Sequence, residues 1–291
     1  MMKKRKLGII GGSGLYKIDG FEQTKWKKIK TPWGSPSDEI LTAKLGNEEI
    51  CFMPRHARGH KISPTNINFR ANIDALKQLG VTDIISVSAV GSLKENLSPG
   101  TFVIIDQFID RTFARVKTFF DEEVVAHVSM ANPVSISLGK SCEAILKKLN
   151  ISHQMSGTYV VMEGPQFSTL AESNLYRSWN ADVIGMTNMP EAKLAREAEI
   201  RYCTVAMVTD YDCWHPDHDE VDVAMVIQTL AKNNSNAQNM IKEVIKTFKN
   251  FSADKDPANN CLETAIITDP KFRTKKTIKK LQHIAGRVLN K

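Results

Sequence analysis

The 291-residue chain has five cysteines (Cys51, Cys142, Cys203, Cys213, Cys261), and no two of them form a Cys-x-x-Cys pair. An odd, scattered set argues for reduced thiols rather than a disulfide or zinc framework. No apolar run approaches the roughly 18 residues needed to span a bilayer, so no membrane association is expected. The opening "MMKKRKLGII" lacks the apolar length and small-residue cleavage site of a secretory signal, and a cytoplasmic location is expected. There is no internal repeat and no low-complexity block. Both common phosphate grips are missing as well. G-x-x-x-x-G-K-[ST] does not occur, and G-x-G-x-x-G begun at Gly12 and Gly14 meets Lys17 at its third glycine. A dinucleotide oxidoreductase is disfavoured on that ground.

Broad basicity is lacking too, despite a formal net charge of +7. Residues 1–6 hold four basic side chains and no acid, and residues 271–291 hold eight and no acid. Without those two ends the body has 27 basic and 32 acidic residues. A basic face for nucleic acid is therefore not expected, and no nucleic-acid partner is assigned.

What the chain does have is alternation of apolar strands and amphipathic helices, the mark of an α/β fold. "EEICFMP", "VTDIISVSAVG", "TFVIIDQFIDR", "GTYVVMEG", "DVIGM" and "YCTVAMVTD" read as strands. "NFRANIDALKQLG", residues 134–149, "STLAESNLYRSW", "PEAKLAREAEI" and about 220–250 read as helices. A polar hinge, "SADKDPANN", precedes a C-terminal helix with an apolar stripe of Ile278, Leu281, Ala285 and Val288 under a lysine-rich face. The expectation is one domain over 1–291, a central mixed twisted sheet flanked by helices. It carries a basic tail at 1–6 and a helical segment at 252–291.

Six strands end in polar or glycine-bearing segments: "GGSG", "PRHARGH", "SAVGS", "EGPQFS", "MTNMPE" and "TDYDCWH". Ligands of open α/β sheets bind at the carboxyl ends of strands, so these six ends are expected to meet in one cleft. Taken singly, each leaves two readings open. "LGIIGGSGLY" is either a cradle of free N–H groups for an anion or a tight strand exit. Arg55 and His56 form either an oxyanion grip or a solvated loop, and a metal reading of His56 with His60 is weak. Ser88 and the Ala89 amide are either a second grip or small residues where the chain turns. Phe167 either stacks on a base or fills the core, and Ser168 with Glu172 is a near-capping arrangement.

Asp210 and Asp212 are the sharpest feature. They leave an apolar strand at its polar end, and alternate residues of an extended segment point the same way. Two close carboxylates raise one pKa, leaving a protonated donor beside an ionised acceptor. That pair matches an adenine edge, donating to ring N7 and accepting from the exocyclic amine. The alternative is a solvated acidic turn or a helix cap.

"GIIGGSGLY", "RHARGH", "NFRANIDALKQLG", "SAVGSL", "GTFVIIDQFIDRT", "EGPQFSTLAES", "ADVIGMTNMPEAKLAREA" and "VTDYDCWH", in this order and spacing, together resemble the S-methyl-5′-thioadenosine phosphorylase family of the trimeric purine nucleoside phosphorylase class. The resemblance runs from about residue 7 to 250 and is loose beyond. It implies a nucleoside phosphorylase-like fold and phosphorolysis of S-methyl-5′-thioadenosine to adenine and 5-methylthioribose-1-phosphate. It implies phosphate binding by Ser13, Arg55, His56, Ser88, Ala89 and Thr187. It implies substrate binding by His60, Phe167, Ser168, Met186, Val223, Val226 and Ile227, with His127 supplied by a neighbouring subunit. Asp210 and Asp212 would read adenine and carry the acid step. The implied partners are a nucleoside and inorganic phosphate, the assembly a homotrimer or a hexamer of two trimers. No cofactor and no metal are implied. The rivals are phosphorolysis of 6-oxopurine nucleosides or methylthioinosine, a broad adenosine/methylthioadenosine activity, and a phosphate-independent nucleosidase. An amide would suit a 6-keto oxygen better than two aspartates do.

Overall fold

The computed structural model describes residues 5–12, 15, 18–216, 223–252 and 255–290, and of 223–225 and 228 the backbone alone. The strands are β1 Leu7–Gly11, β2 Glu22–Lys27, β3 Ile40–Leu45, β4 Glu48–Pro54, β5 Asp83–Ser92, β6 Phe102–Ile105, β7 Gln107–Asp110, β8 His153–Met155, β9 Thr158–Val161, β10 Val183–Gly185 and β11 Arg201–Asp210. The helices are α1 Phe69–Gln78, α2 Ile136–Lys148, α3 Leu170–Ser178, α4 Glu191–Glu197, α5 Val223–Thr247, α6 Lys275–Lys280 and α7 Gln282–Leu289.

All eleven strands join one mixed sheet, and β5 is its branching point. Its first half lies parallel to β1 (Leu7 opposite Asp83) and its last residues pair antiparallel with β10 (Val183 opposite Ser92). Along its length it runs parallel to β11, from Arg201 opposite Asp83 to Asp210 opposite Gly91. The three central strands are buried on both faces, which is why they read as near-continuous apolar runs rather than alternations.

Helices cover both faces. α1, α4 and α7 contribute to a core that holds Ile10, Ile84, Ala192, Ile284 and Leu289. α2 and α5 share a second core with Ile9, Phe52, Cys203 and Val205. The starts of α1 and α2 are fixed by side-chain caps: Asn68 accepts from the Ala71 N–H and Ser135 from the Leu138 N–H.

Three local expectations need correction. "TFVIIDQFIDR" is two strands, broken at Asp106, whose carboxylate accepts the Gly157 N–H at 3.1 Å. The cap of α3 is Thr169, one residue later than read, in a reciprocal capping box with Glu172. The C-terminal helix is divided at Leu281 into α6 and α7. Its buried apolar side chains are Leu281, Ile284, Ala285 and Leu289, with Ile278 and Val288 only partly covered.

Candidate active site

The six strand exits do meet. They surround one cavity of about 550 Å³ with Gly12, Arg55, His56, His60, Ser88, Ala89, Phe167, Met186, Thr187, Asp210 and Asp212 in its wall, closed on one side by Val226, Leu230 and Asn234 of α5. Ser13 and the side chain of Val223 lie outside the described residues. Ile227 is 60% exposed and is not in the wall. His127 is exposed too; its backbone N–H donates to the Ala265 carbonyl, away from this chain's cavity. Ser168 stands just behind the wall, its hydroxyl 3.6 Å from Met162 Sδ.

One end of the cavity is an array of directed donors. Arg55 leaves β4 into the protein interior and is 2% exposed. Four of its five N–H groups are taken: Nε and one Nη2 proton by Glu191, the other Nη2 proton by Ser86 Oγ, and one Nη1 proton by the Val87 carbonyl. Thr187 Oγ1 is buried without a partner among the described residues. Ser88 Oγ donates to Asn188 Oδ1 at 3.0 Å. His56 stacks on His60 with ring centroids 4.3 Å apart. Burial, then the Arg55 charge, press its pKa down to about 4. The imidazole is thus neutral at pH 7, and its Nδ1 lies 2.9 Å from the Ile62 carbonyl. A neutral ring bonded to a carbonyl through Nδ1 carries its proton there, so Nε2 is an acceptor.

The other end holds the two aspartates, 8% and 6% exposed. They do not alternate along an extended strand as expected. Asp212 has φ +53°, and the chain turns so that Asp210 Oδ1 accepts the Asp212 N–H at 2.8 Å while Oδ2 accepts Thr209 Oγ1 at 2.7 Å. Both carboxyls titrate above the usual carboxylate range, and burial is the first cause for each. The charge of Asp212 adds to the rise at Asp210 but is the smaller effect, so the expected ranking of causes is corrected as well. Gly91 makes room for this turn: a Cβ there would lie 2.8 Å from Asp210 Oδ1 and 3.3 Å from the Asp212 nitrogen.

Between the ends, Met186 is held by a residue that sequence reasoning passed over. Arg115 is buried and donates to Glu163 Oε1 and to the carbonyls of Met186 and Met189 at 2.9, 2.6 and 2.7 Å. Glu163 also accepts the Phe113 and Ala114 N–H groups, and its pKa drops to about 2 as these donors outweigh its desolvation. Asn188 and Glu191 were missed too, since in sequence they are only the start of a helix. The signal that marks them is a buried acid and amide directly after a strand exit. Among the described residues no group of three or more His, Cys, Asp or Glu stands where it would hold a metal ion. No helix there is long and apolar enough to cross a membrane.

Comparison with known proteins places this geometry. The sequence profile of the phosphorylase superfamily matches residues 6–246. The chain is 58% identical to S-methyl-5′-thioadenosine phosphorylase of Rhodospirillum rubrum, over 97% of each chain. It is 54% identical to the protein of that name from Cereibacter sphaeroides, over 98% of this chain and 99% of the other. Among solved structures, a methylthioadenosine phosphorylase from an antarctic soil metagenomic library superposes with a TM-score of 0.91 at 45% identity, covering 97% of this chain and 99% of that one. Methylthioadenosine phosphorylase of Schistosoma mansoni in complex with adenine gives a TM-score of 0.82 at 33% identity, over 86% and 94%.

Proposed function

The chain belongs to the phosphorylase superfamily and, within it, to the S-methyl-5′-thioadenosine phosphorylases, and from that premise we propose how its own residues carry out the reaction. The activity is that of a pentosyltransferase: S-methyl-5′-thioadenosine and inorganic phosphate give adenine and 5-methylthioribose-1-phosphate, a step of purine and methionine salvage. The observation that carries the residue assignment is the polarity of the cavity, with N–H and O–H donors at one end and two buried carboxyls at the other.

Phosphate takes the donor end, held by the Ala89 amide, the Thr187 hydroxyl, Arg55 and His56. Ser88 joins them when its proton turns from Asn188 Oδ1 to the anion, and Ser13 is assigned to the same anion by the family resemblance. A neutral His56 accepts from a protonated phosphate oxygen through Nε2. The nucleoside lies along Met186 and Phe167 with its 5′ end toward Val226, His60 and, from a neighbouring subunit, His127. The glycosidic bond breaks early, positive charge spreads over the ribose ring, and the phosphate beneath C1′ stabilises that charge before attacking with inversion. Adenine leaves poorly as an anion, so the Asp210/Asp212 pair, with its raised pKa values, protonates N7 and accepts from the exocyclic amine. General acid help of this kind is worth roughly 10²–10⁴-fold, and fixing phosphate in line supplies orientation and charge stabilisation.

No metal or cofactor is assigned, and the whole chain acts as one cytoplasmic domain. α7 supports this by adding Ile284 and Leu289 to the core that contains Ile10. The assembly is a homotrimer or two trimers joined. Phe113 and Leu170, 83% and 56% exposed, flank segments of the cavity wall and are apolar surface that a neighbour would cover.

The test is to incubate the protein with methylthioadenosine, adenosine or inosine, with and without phosphate, and to follow free base by chromatography. Adenine from methylthioadenosine only with phosphate, and faster than from adenosine, is expected. Hypoxanthine as main product, or base released without phosphate, overturns the reading.

A further inference from the structure

Behind the donor end of the cavity, β5, β11 and the start of α4 enclose polar side chains almost without access to water. Arg55 and Glu191 are each 2% exposed, and Ser86 and Asn188 are fully buried. Glu191 Oε2 accepts Arg55 Nε at 2.9 Å, and its Oε1 accepts Arg55 Nη2, Ser86 Oγ and Tyr202 OH at 3.2, 2.6 and 2.8 Å. Asn188 Nδ2 contacts Ser86 Oγ at 2.9 Å and Tyr202 OH at 2.6 Å, while its Oδ1 takes the Ser88 proton.

We propose that Glu191 is a positioning residue for phosphate: it fixes the Arg55 guanidinium so that the one uncommitted Nη1 proton is presented to the anion. The inference rests on the phosphorylase reading above. Two features favour it over a merely structural ion pair. Burying an Arg–Glu pair stabilises a fold little, since desolvation offsets most of the attraction. Its four-point fixation, however, removes the rotational freedom that a cavity-lining arginine otherwise has. The pair is also neutral as a unit, so Arg55 acts by direction rather than by net charge. Through Ser86 and Asn188 the same network reaches Ser88, so both lie in one rigid frame.

Direction and charge make opposite forecasts for Glu191→Gln. This change leaves the guanidinium charge unmatched while losing its fork. If charge governed, the anion would bind more tightly; under positioning, it binds less well. The experiment is steady-state kinetics with phosphate and methylthioadenosine varied independently in wild type, Glu191→Gln and Tyr202→Phe. Tyr202→Phe removes a single donor to Glu191 and keeps the ring, so it remains informative if the first variant folds poorly. The expected result is a phosphate KM raised on the order of tenfold to a hundredfold in Glu191→Gln, comparable to the up to ~10²-fold cost of misplacing a reacting group by about 1 Å. A smaller rise in Tyr202→Phe is expected, with the methylthioadenosine KM unmoved in both. An unchanged or lower phosphate KM overturns the inference. So does a parallel rise of both KM values with loss of thermal stability, which is the mark of a structural role. Wild-type protein that releases no adenine with phosphate present removes the functional reading itself, a failure visible before any variant is compared.

Discussion

Asp210 Oδ1 accepts the backbone N–H of Asp212 at 2.8 Å, so the first carboxylate shapes the turn that presents the second. Asp210→Asn keeps one oxygen for that N–H and turns an NH2 toward Thr209, whose hydroxyl proton then goes to the Val90 carbonyl at 3.2 Å, but it removes the acid. Turnover of methylthioadenosine should fall by roughly 10²–10⁴-fold, with the phosphate KM and the unfolding midpoint unchanged. Asp210→Ala removes the turn bond as well and should unfold more easily by about 1 kcal/mol. If Asp210→Asn retains wild-type kcat, the aspartate pair is not the acid.

Gly91 faces the same pair. An added methyl would press on Asp210 Oδ1 at 2.8 Å and on Ile184 Cγ2 at 3.2 Å. Gly91→Ala should therefore displace the carboxylate, lowering kcat/KM for methylthioadenosine while costing about 1–3 kcal/mol of stability from overpacking. Activity assays and urea denaturation on one preparation check both. Full activity would mean that the turn has slack the packing does not suggest.

Much of this site is legible in the sequence because its polar strand exits interrupt apolar runs. β1, β4, β5 and β11 declare themselves, and Asp210, Asp212, Thr187 and Met186 stand at their ends or at that of β10. Other parts depend on partners that the local pattern does not contain. Glu191 meets Arg55 across 136 residues, and from its neighbours alone it is an acid at a helix start. β2, "EQTKWK", is almost wholly solvent-facing and has no apolar periodicity to betray it. The break at Asp106 exists because that side chain bonds to Gly157. Alternation alone puts Asp212 on an extended strand, but the strand ends two residues earlier, at Asp210, and φ is positive at Asp212 itself.

Glu197 on α4 gives a prediction about pH. Its carboxylate accepts Thr118 Oγ1 at 2.6 Å and the Phe119 N–H at 2.7 Å, yet burial pushes its pKa up to about 7 from the ordinary 4.5. Between those values the folded chain keeps a proton that the unfolded chain has released. Its contribution to stability is therefore present at low pH and lost as pH rises toward 7. Glu197→Gln does not titrate, so its stability relative to wild type should improve by about 1–3 kcal/mol between pH 5 and pH 8. Denaturant unfolding at the two pH values measures the change, and an equal gap at both contradicts it.

Thr187 separates stability from function most cleanly. Its hydroxyl is buried and unpartnered among the described residues, and an unsatisfied buried hydroxyl costs roughly 1–3 kcal/mol. Thr187→Val keeps the shape and removes that penalty, so the phosphate-free variant should be as stable as wild type or more so. If the hydroxyl waits for a phosphate oxygen, the same change must raise the phosphate KM and shrink the thermal shift that phosphate produces, with the methylthioadenosine KM untouched. A variant that is less stable without phosphate would show that the hydroxyl already serves the fold. One that binds phosphate as wild type does would remove Thr187 from the anion site.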